Sequence, residues 1–216
     1  MTLVDKLDEK IISLLESQKS IKQQKELWFE QLANTIKEIQ QGLIVQSGTE
    51  LEQKHFFDNK LTIFMPKYIK QMTPAHIKIK YPNENRPKYL YTNDTDSMNM
   101  GINLIEDENE KFTPEDVPDF RDIMMESFLS VSPSSKILDK GTVELEKGTE
   151  HEFLIAYYSF DNFAIGGAMY NLIFVTEIDG AIAIISLNCT MKDMANNELL
   201  FYGIMHTVKV ENPERR

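Results

Sequence analysis

The rhythm of the chain changes at Gly42. Residues 1–41 contain neither glycine nor proline and carry an apolar stripe with the period of a helix. Beyond Gly42 come short runs of β-branched and aromatic residues separated by turn signals. Such a chain is expected to fold as a helical arm (residues 1–42), a linker (43–54), a mixed α+β domain (55–210) and a polar tail (211–216).

With Val4 at heptad position a, the a positions of the arm are Val4, Ile11, Gln18, Lys25, Leu32 and Ile39, and the d positions are Leu7, Leu14, Ile21, Trp28 and Thr35. Eight of these eleven are apolar, which makes a coiled-coil-like seam. Two packings fit it. The arm is either one long helix, paired with a second copy or a partner, or a hairpin bent at Ser17–Ser20 that folds back on itself or on the domain. Trp28 and Phe29 are adjacent and cannot both face one seam, so one of them contacts the domain or a partner. Gly42 is a natural stop.

Several runs read as strands: Leu61–Met65, Ile77–Tyr81 with its alternation of apolar and basic residues, Lys88–Thr92, and Met98–Ile105. Thr113-Pro114-Glu115-Asp116 is a helix start, with an N-cap, a proline at the first position and acids at the positive end of the dipole. Its helix ends before Pro133. Strand signals resume at Thr142–Glu146 and Glu152–Phe160, with Asp161-Asn162 read as the turn into Ala164–Glu177. Asp179-Gly180 is a two-residue hairpin turn leading into Ala181–Cys189. A last helix is expected from Lys192 to Val208, with Leu199, Leu200, Ile204 and Val208 inward. Long antiparallel hairpins with separate helices predict an antiparallel sheet sandwiched by helices, not a parallel nucleotide-binding sheet.

Leu61-Thr-Ile-Phe-Met-Pro66, Lys80-Tyr-Pro82, Arg86-Pro87-Lys-Tyr-Leu-Tyr-Thr-Asn93, Tyr170-Asn171, the Asp179-Gly180 turn and the terminal helix together resemble the PsbP-like fold. The likeness covers roughly residues 55–210 and leaves out the arm. That family includes extrinsic photosystem subunits, a yeast factor that binds the Ran GTPase, and bacterial single-domain proteins. It has no common catalytic motif. The resemblance implies a scaffold that binds other proteins, and some bacterial relatives serve as adaptors or chaperones for secreted effectors.

The formal net charge of −11 argues against nonspecific binding to nucleic acid or anionic lipid. No apolar run approaches the ~18–20 residues that span a membrane, and the N-terminus lacks a signal-peptide core. A single cysteine, Cys189, allows no intramolecular disulfide and reads as a buried small hydrophobe. These features together point to the cytoplasm.

No reaction centre is legible. His55, His76, His151 and His206 form no pair at metal-ligand spacing. Asn93–Asn99 departs from a calcium loop, with Met98 and Asn99 where an oxygen ligand and a glycine belong. Ile165-Gly166-Gly167-Ala168 is not a phosphate cradle, and no nucleophile elbow is present. The reading is therefore a non-enzymatic cytoplasmic protein-binding module with no cofactor, metal or catalytic residue. The binding residues are Tyr81, Arg86, Tyr89, Tyr91 and Asn93, set among two prolines, together with Trp28, because tyrosine, arginine and tryptophan anchor interfaces. Its partner is another protein, with a homodimer through residues 1–41 as one use of the arm. The alternative is a small-ligand binder or enzyme using a cavity between sheet and helices.

Overall fold

A computed structural model of the chain describes residues 3–42, 48–107, 109, 111–147, 152–164 and 167–211; for residues 3–17 and 164 it describes the backbone alone. The elements, in chain order, are helix α1 (Leu3–Gln40), strands β1 (Leu51–Phe56), β2 (Leu61–Pro66) and β3 (Lys70–Gln71), helix α2 (Pro74–Lys80), β4 (Tyr89–Thr92), β5 (Met98–Ile105), a 3₁₀ turn (Pro114–Asp116), α3 (Val117–Val131), β6 (Lys136–Leu145), β7 (Phe153–Ala164), β8 (Gly167–Ile178), β9 (Ala181–Thr190), a second 3₁₀ turn (Met191–Asp193), α4 (Met194–His206) and β10 (Lys209–Val210).

Among the described residues, seven strands form one antiparallel sheet in the order β3-β4-β5-β9-β8-β7-β6, and β1-β2-β10 form a smaller one. Strand alternation sorts the side chains onto two faces. On one face Met100, Ile102, Leu172, Phe174, Ile185 and Leu187 pack with Leu32 and Ile39 of α1, with Phe201 and Ile204 of α4, and with Leu61, Ile63 and Met65 of β2. On the other, Ala156, Val175 and Ile182 meet Val117, Phe120 and Met124 of α3. The large sheet is thus sandwiched by helices, as the long hairpins imply. Each aliphatic side chain fully buried this way contributes roughly 1.5–3 kcal/mol.

The arm is a single helix, with no bend at Ser17–Ser20, and it ends as Gly42 takes a left-handed conformation (φ +66°). Its seam is shared out along its length. Trp28, Leu32, Thr35 and Ile39 lie against α4 and the core, whereas residues 18–27 are exposed throughout, Ile21 among them. The close approach rests on Gly203 of α4: a Cβ there would stand 2.8 Å from Ile39 Cδ1 and 2.9 Å from Thr35 Cγ2. From Trp28 onward, the inner face of the arm is therefore part of the core.

Three local expectations are corrected. Ile77–Tyr81 is not a strand; residues 74–80 are α2, started by Thr73, whose side chain accepts the His76 N–H at 3.2 Å, and by Pro74 at the first position. Seven residues are too few for a 3.6 period to declare itself, and Ile79 is simply exposed. Leu51–Phe56, read mostly as linker, is the edge strand β1, paired in register from Leu51–Pro66 to Phe56–Leu61. Asp161-Asn162 is not a turn; both pair within the β7–β8 ladder, opposite Tyr170 and Met169, and the hairpin closes between Ala164 and Gly167. Residues 165–166 at that corner lie outside the described residues, as does His151. The Asp179-Gly180 turn has φ +54° and +83°, the geometry of a tight hairpin. Lys60 pairs with Asp179, tying the β1–β2 turn to it.

Candidate functional site: a groove around Trp28

Where α1 crosses α4 beside the outer strands β6 and β7, the surface opens into a groove of about 450 Å³. Its walls are Lys25, Trp28, Phe29 and Leu32 of α1, Leu138 and Asp139 of β6, Tyr157 and Ser159 of β7, and Glu198, Tyr202 and His206 of α4. Three local devices shape it. A bulge shifts the β6–β7 register between Ile137 and Asp139, so the consecutive residues Leu138 and Asp139 both reach the groove. Gly141 leaves room for the Tyr157 ring, since a Cβ there would come within 2.8 Å of its hydroxyl. The fit of Gly203 brings Trp28 down onto α4.

The aromatic rings interlock. Trp28 meets Tyr202 edge-on at 5.2 Å and 86°, Tyr202 meets Tyr157 at 5.6 Å and 85°, and Trp28 meets the exposed Phe29 at 5.3 Å. These are favoured edge-to-face arrangements. The polar groups are ordered around two carboxylates. The hydroxyls of Tyr157 and Tyr202 both donate to Asp139 Oδ2, each at 3.1 Å. The Trp28 side chain lies close enough to Glu198 to favour its charged form. Burial nevertheless pushes the Glu198 carboxyl above its ordinary value, and nearby Trp28 only partly offsets this. Burial, reinforced by Asp139, raises the Tyr157 hydroxyl to about 12. Burial lowers His206, which favours the neutral ring. Behind Ser159 and Tyr202, the hydroxyl of fully buried Tyr170 is near enough to interact with both but makes no hydrogen bond among the described residues.

The other residues singled out from sequence lie elsewhere. Tyr91 is buried, with Phe56 edge-on at 6.3 Å and Lys54 Nζ 5.7 Å above its ring. Half-buried Tyr89 packs between Phe56 and Phe57. Asn93 Oδ1 accepts the Ser97 and Met98 N–H groups at 2.9 and 3.2 Å and so caps the β4–β5 turn. Arg86 is exposed, held to the Asn83 carbonyl at 3.1 Å, and Tyr81 is half-buried at the end of α2. The Tyr81–Asn93 segment thus leaves Arg86 and part of Tyr81 facing outward, and Trp28 is not near it in the groove lining. Sequence reading missed Asp139, Tyr157, Glu198 and Tyr202. Only the adjacency of Trp28 and Phe29 hinted that α1 has a second face.

Cys189 is fully buried and its thiol is raised to about 12, chiefly by burial. Among the described residues, no three His, Cys, Asp or Glu side chains gather as a metal site would require. No helix among them is long and apolar enough to cross a membrane.

Neither a family model nor a curated protein matches the chain by sequence. Solved structures do match. Cyanobacterial PsbP (CyanoP) from Synechocystis sp. PCC 6803 superposes with a TM-score of 0.55 at 11% identity, over 74% of this chain and 92% of that one. LpqN, described as involved in cell envelope biogenesis of Mycobacterium tuberculosis, gives 0.48 at 12% over 74% and 90%. The Saccharomyces cerevisiae Ran-binding protein Mog1p gives 0.46 at 12% over 77% and 98%. At 11% identity the likeness to cyanobacterial PsbP speaks to architecture alone, and the architecture of this chain is the PsbP-like fold.

Proposed function

We propose that the chain is a non-enzymatic cytoplasmic module that binds another protein at the groove around Trp28, with the exposed turns of α1 as a second contact. The observation that carries this reading is the density of interface-type side chains there. Trp28, Phe29, Tyr157 and Tyr202 line one opening, and the exposed Ile21 and Leu27 continue an apolar surface along α1. The buried, high-pKa Cys189 offers no competing nucleophile. Exposed Arg86 and half-buried Tyr81 provide a further contact, and Tyr89, Tyr91 and Asn93 support that loop from within. An adaptor or chaperone for a secreted effector is the narrower form, drawn from the resemblance of the fold.

Two other uses stay in the test. A homodimer through residues 1–41 is supported by the exposed Ile21 on the seam. A small ligand is supported by the groove's volume, which lies within the usual range for ligand sites.

The experiment is affinity capture from native extract with the full chain and with a Leu27→Ser/Phe29→Ser variant, which alters exposed side chains only. A stoichiometric partner lost by the variant, at unchanged thermal stability, supports the groove. A partner held equally by both moves recognition off it. Sedimentation of the purified chain as a dimer that Ile21→Glu dissociates would favour self-pairing.

A further inference from the structure

We propose that the groove around Trp28 recognises a guanidinium group, carried on an arginine side chain of the partner polypeptide. This rests on the protein-binding reading above and gives that site its chemistry. In the aromatic wall of the groove the Tyr157 and Tyr202 hydroxyls are turned to a carboxylate, while acceptor positions stay open. Both hydroxyls meet a single oxygen of Asp139, and Glu198 lines the same groove beside Trp28. That leaves Asp139 Oδ1 without a partner among the described residues, the remaining carboxylate positions of Glu198 free, and the phenolic oxygens able to accept. A ligand that only donates suits such a lining, and guanidinium presents five donors and no acceptor.

One further feature agrees. The walls are aromatic, and a planar cation stacks on aromatic faces while it bonds a carboxylate in bidentate fashion. The occupant is a polypeptide because the opening is flanked by exposed apolar residues on both sides, Phe29 on α1 and Leu138 on β6, which suit the neighbours of an arginine in a chain. The formal charge of −11 draws a basic partner toward the surface. Lys25 is the competing cation on the rim. It forms no ion pair among the described residues, so it repels an incoming guanidinium without occupying its place.

Trp28 is the single tryptophan of the chain, so its emission reports on the groove directly. The test titrates the full-length protein with a capped Leu-Arg-Leu peptide and with the same peptide carrying citrulline, which keeps the shape and loses the charge. Saturable change in emission is expected with the arginine peptide, at least about tenfold weaker with citrulline, because a charged bidentate pair is replaced by a neutral contact. Asp139→Asn, which keeps the shape of an exposed side chain and removes its charge, should weaken the arginine peptide alone. Lys25→Ala should tighten it severalfold. Equal binding of the two peptides, or no saturable response, overturns the guanidinium assignment. Methylguanidinium binding as tightly as the peptide overturns the polypeptide part of it. If the arginine peptide fails while Leu27→Ser/Phe29→Ser still loses its captured partner, the guanidinium is wrong and the binding face stands. If the peptide binds but capture is unaffected, the face assigned to the partner is wrong.

Discussion

Gly203 lies so close beneath Ile39 that a single added methyl would come within 2.8 Å of the Ile39 side chain. A helix interior ordinarily gains about 0.5–1 kcal/mol when glycine becomes alanine. Here the methyl would also press on Thr35 Cγ2 at 2.9 Å, and both neighbours are buried. Overpacking costs about 1–3 kcal/mol, so the sign reverses. Gly203→Ala is expected to destabilise, and Gly203→Val to lift α1 from α4. Urea unfolding followed by Trp28 emission checks this; a rise in the midpoint for Gly203→Ala would refute the close packing.

The two halves of α1 should answer differently to truncation. Ile39→Ala removes a fully buried side chain and should cost roughly 2–5 kcal/mol. Ile21→Ser, at a position 61% exposed, should stay within about 0.5 kcal/mol in the monomer. Equal losses at the two sites in dilute solution would mean that the outer turns are packed against something.

His206 gives the fold an acid-sensitive element. Burial lowers its pKa from the ordinary 6.5, so the unfolded chain binds the proton more readily than the folded one. Its contribution is intact above 6.5 and is lost as pH falls below that value toward the folded-state pKa. His206→Gln should flatten this part of the stability-versus-pH curve while leaving the region above pH 7 nearly parallel. Glu198, raised by burial, acts with the same bias toward its neutral form but in the carboxylate range, where stability falls as pH rises. The two slopes are therefore separable by titration of single variants.

Cys189 should be silent toward thiol reagents. It is fully buried in the main core, and its thiol sits near 12. A disulfide reagent should label the native chain only at the rate of global opening and label it at once in denaturant. Fast labelling of the folded chain would contradict the packing of β9.

Much of the architecture can be read from local signals. Asp179-Gly180 marks its hairpin because two consecutive positive φ values demand those residues. Met98–Ile105 alternates because its strand has one face on the core. Thr113–Asp116 starts its helix through a reciprocal capping box. The failures have equally local causes. The Ile77–Lys80 run alternates by accident on a seven-residue helix, and β1 is an edge strand with too few apolar residues to stand out. The groove was beyond reach for another reason. Residues 28, 138–139, 157–159 and 198–206 come from four elements that only the tertiary fold brings together. No spacing along the chain encodes that meeting, and the bulge at Leu138 that turns Asp139 into the groove leaves no mark in sequence.

A helix of 38 residues is ~57 Å long, and among its residues with described side chains α1 is packed from Trp28 onward and exposed over 18–27. It has neither glycine nor proline before Gly42, so it contains no natural hinge. Over the exposed turns 18–27 it therefore behaves as a lever. A load on those turns is converted into torque about the Gly203 contact, and the first packed side chain beyond them is Trp28, at the lip of the grip.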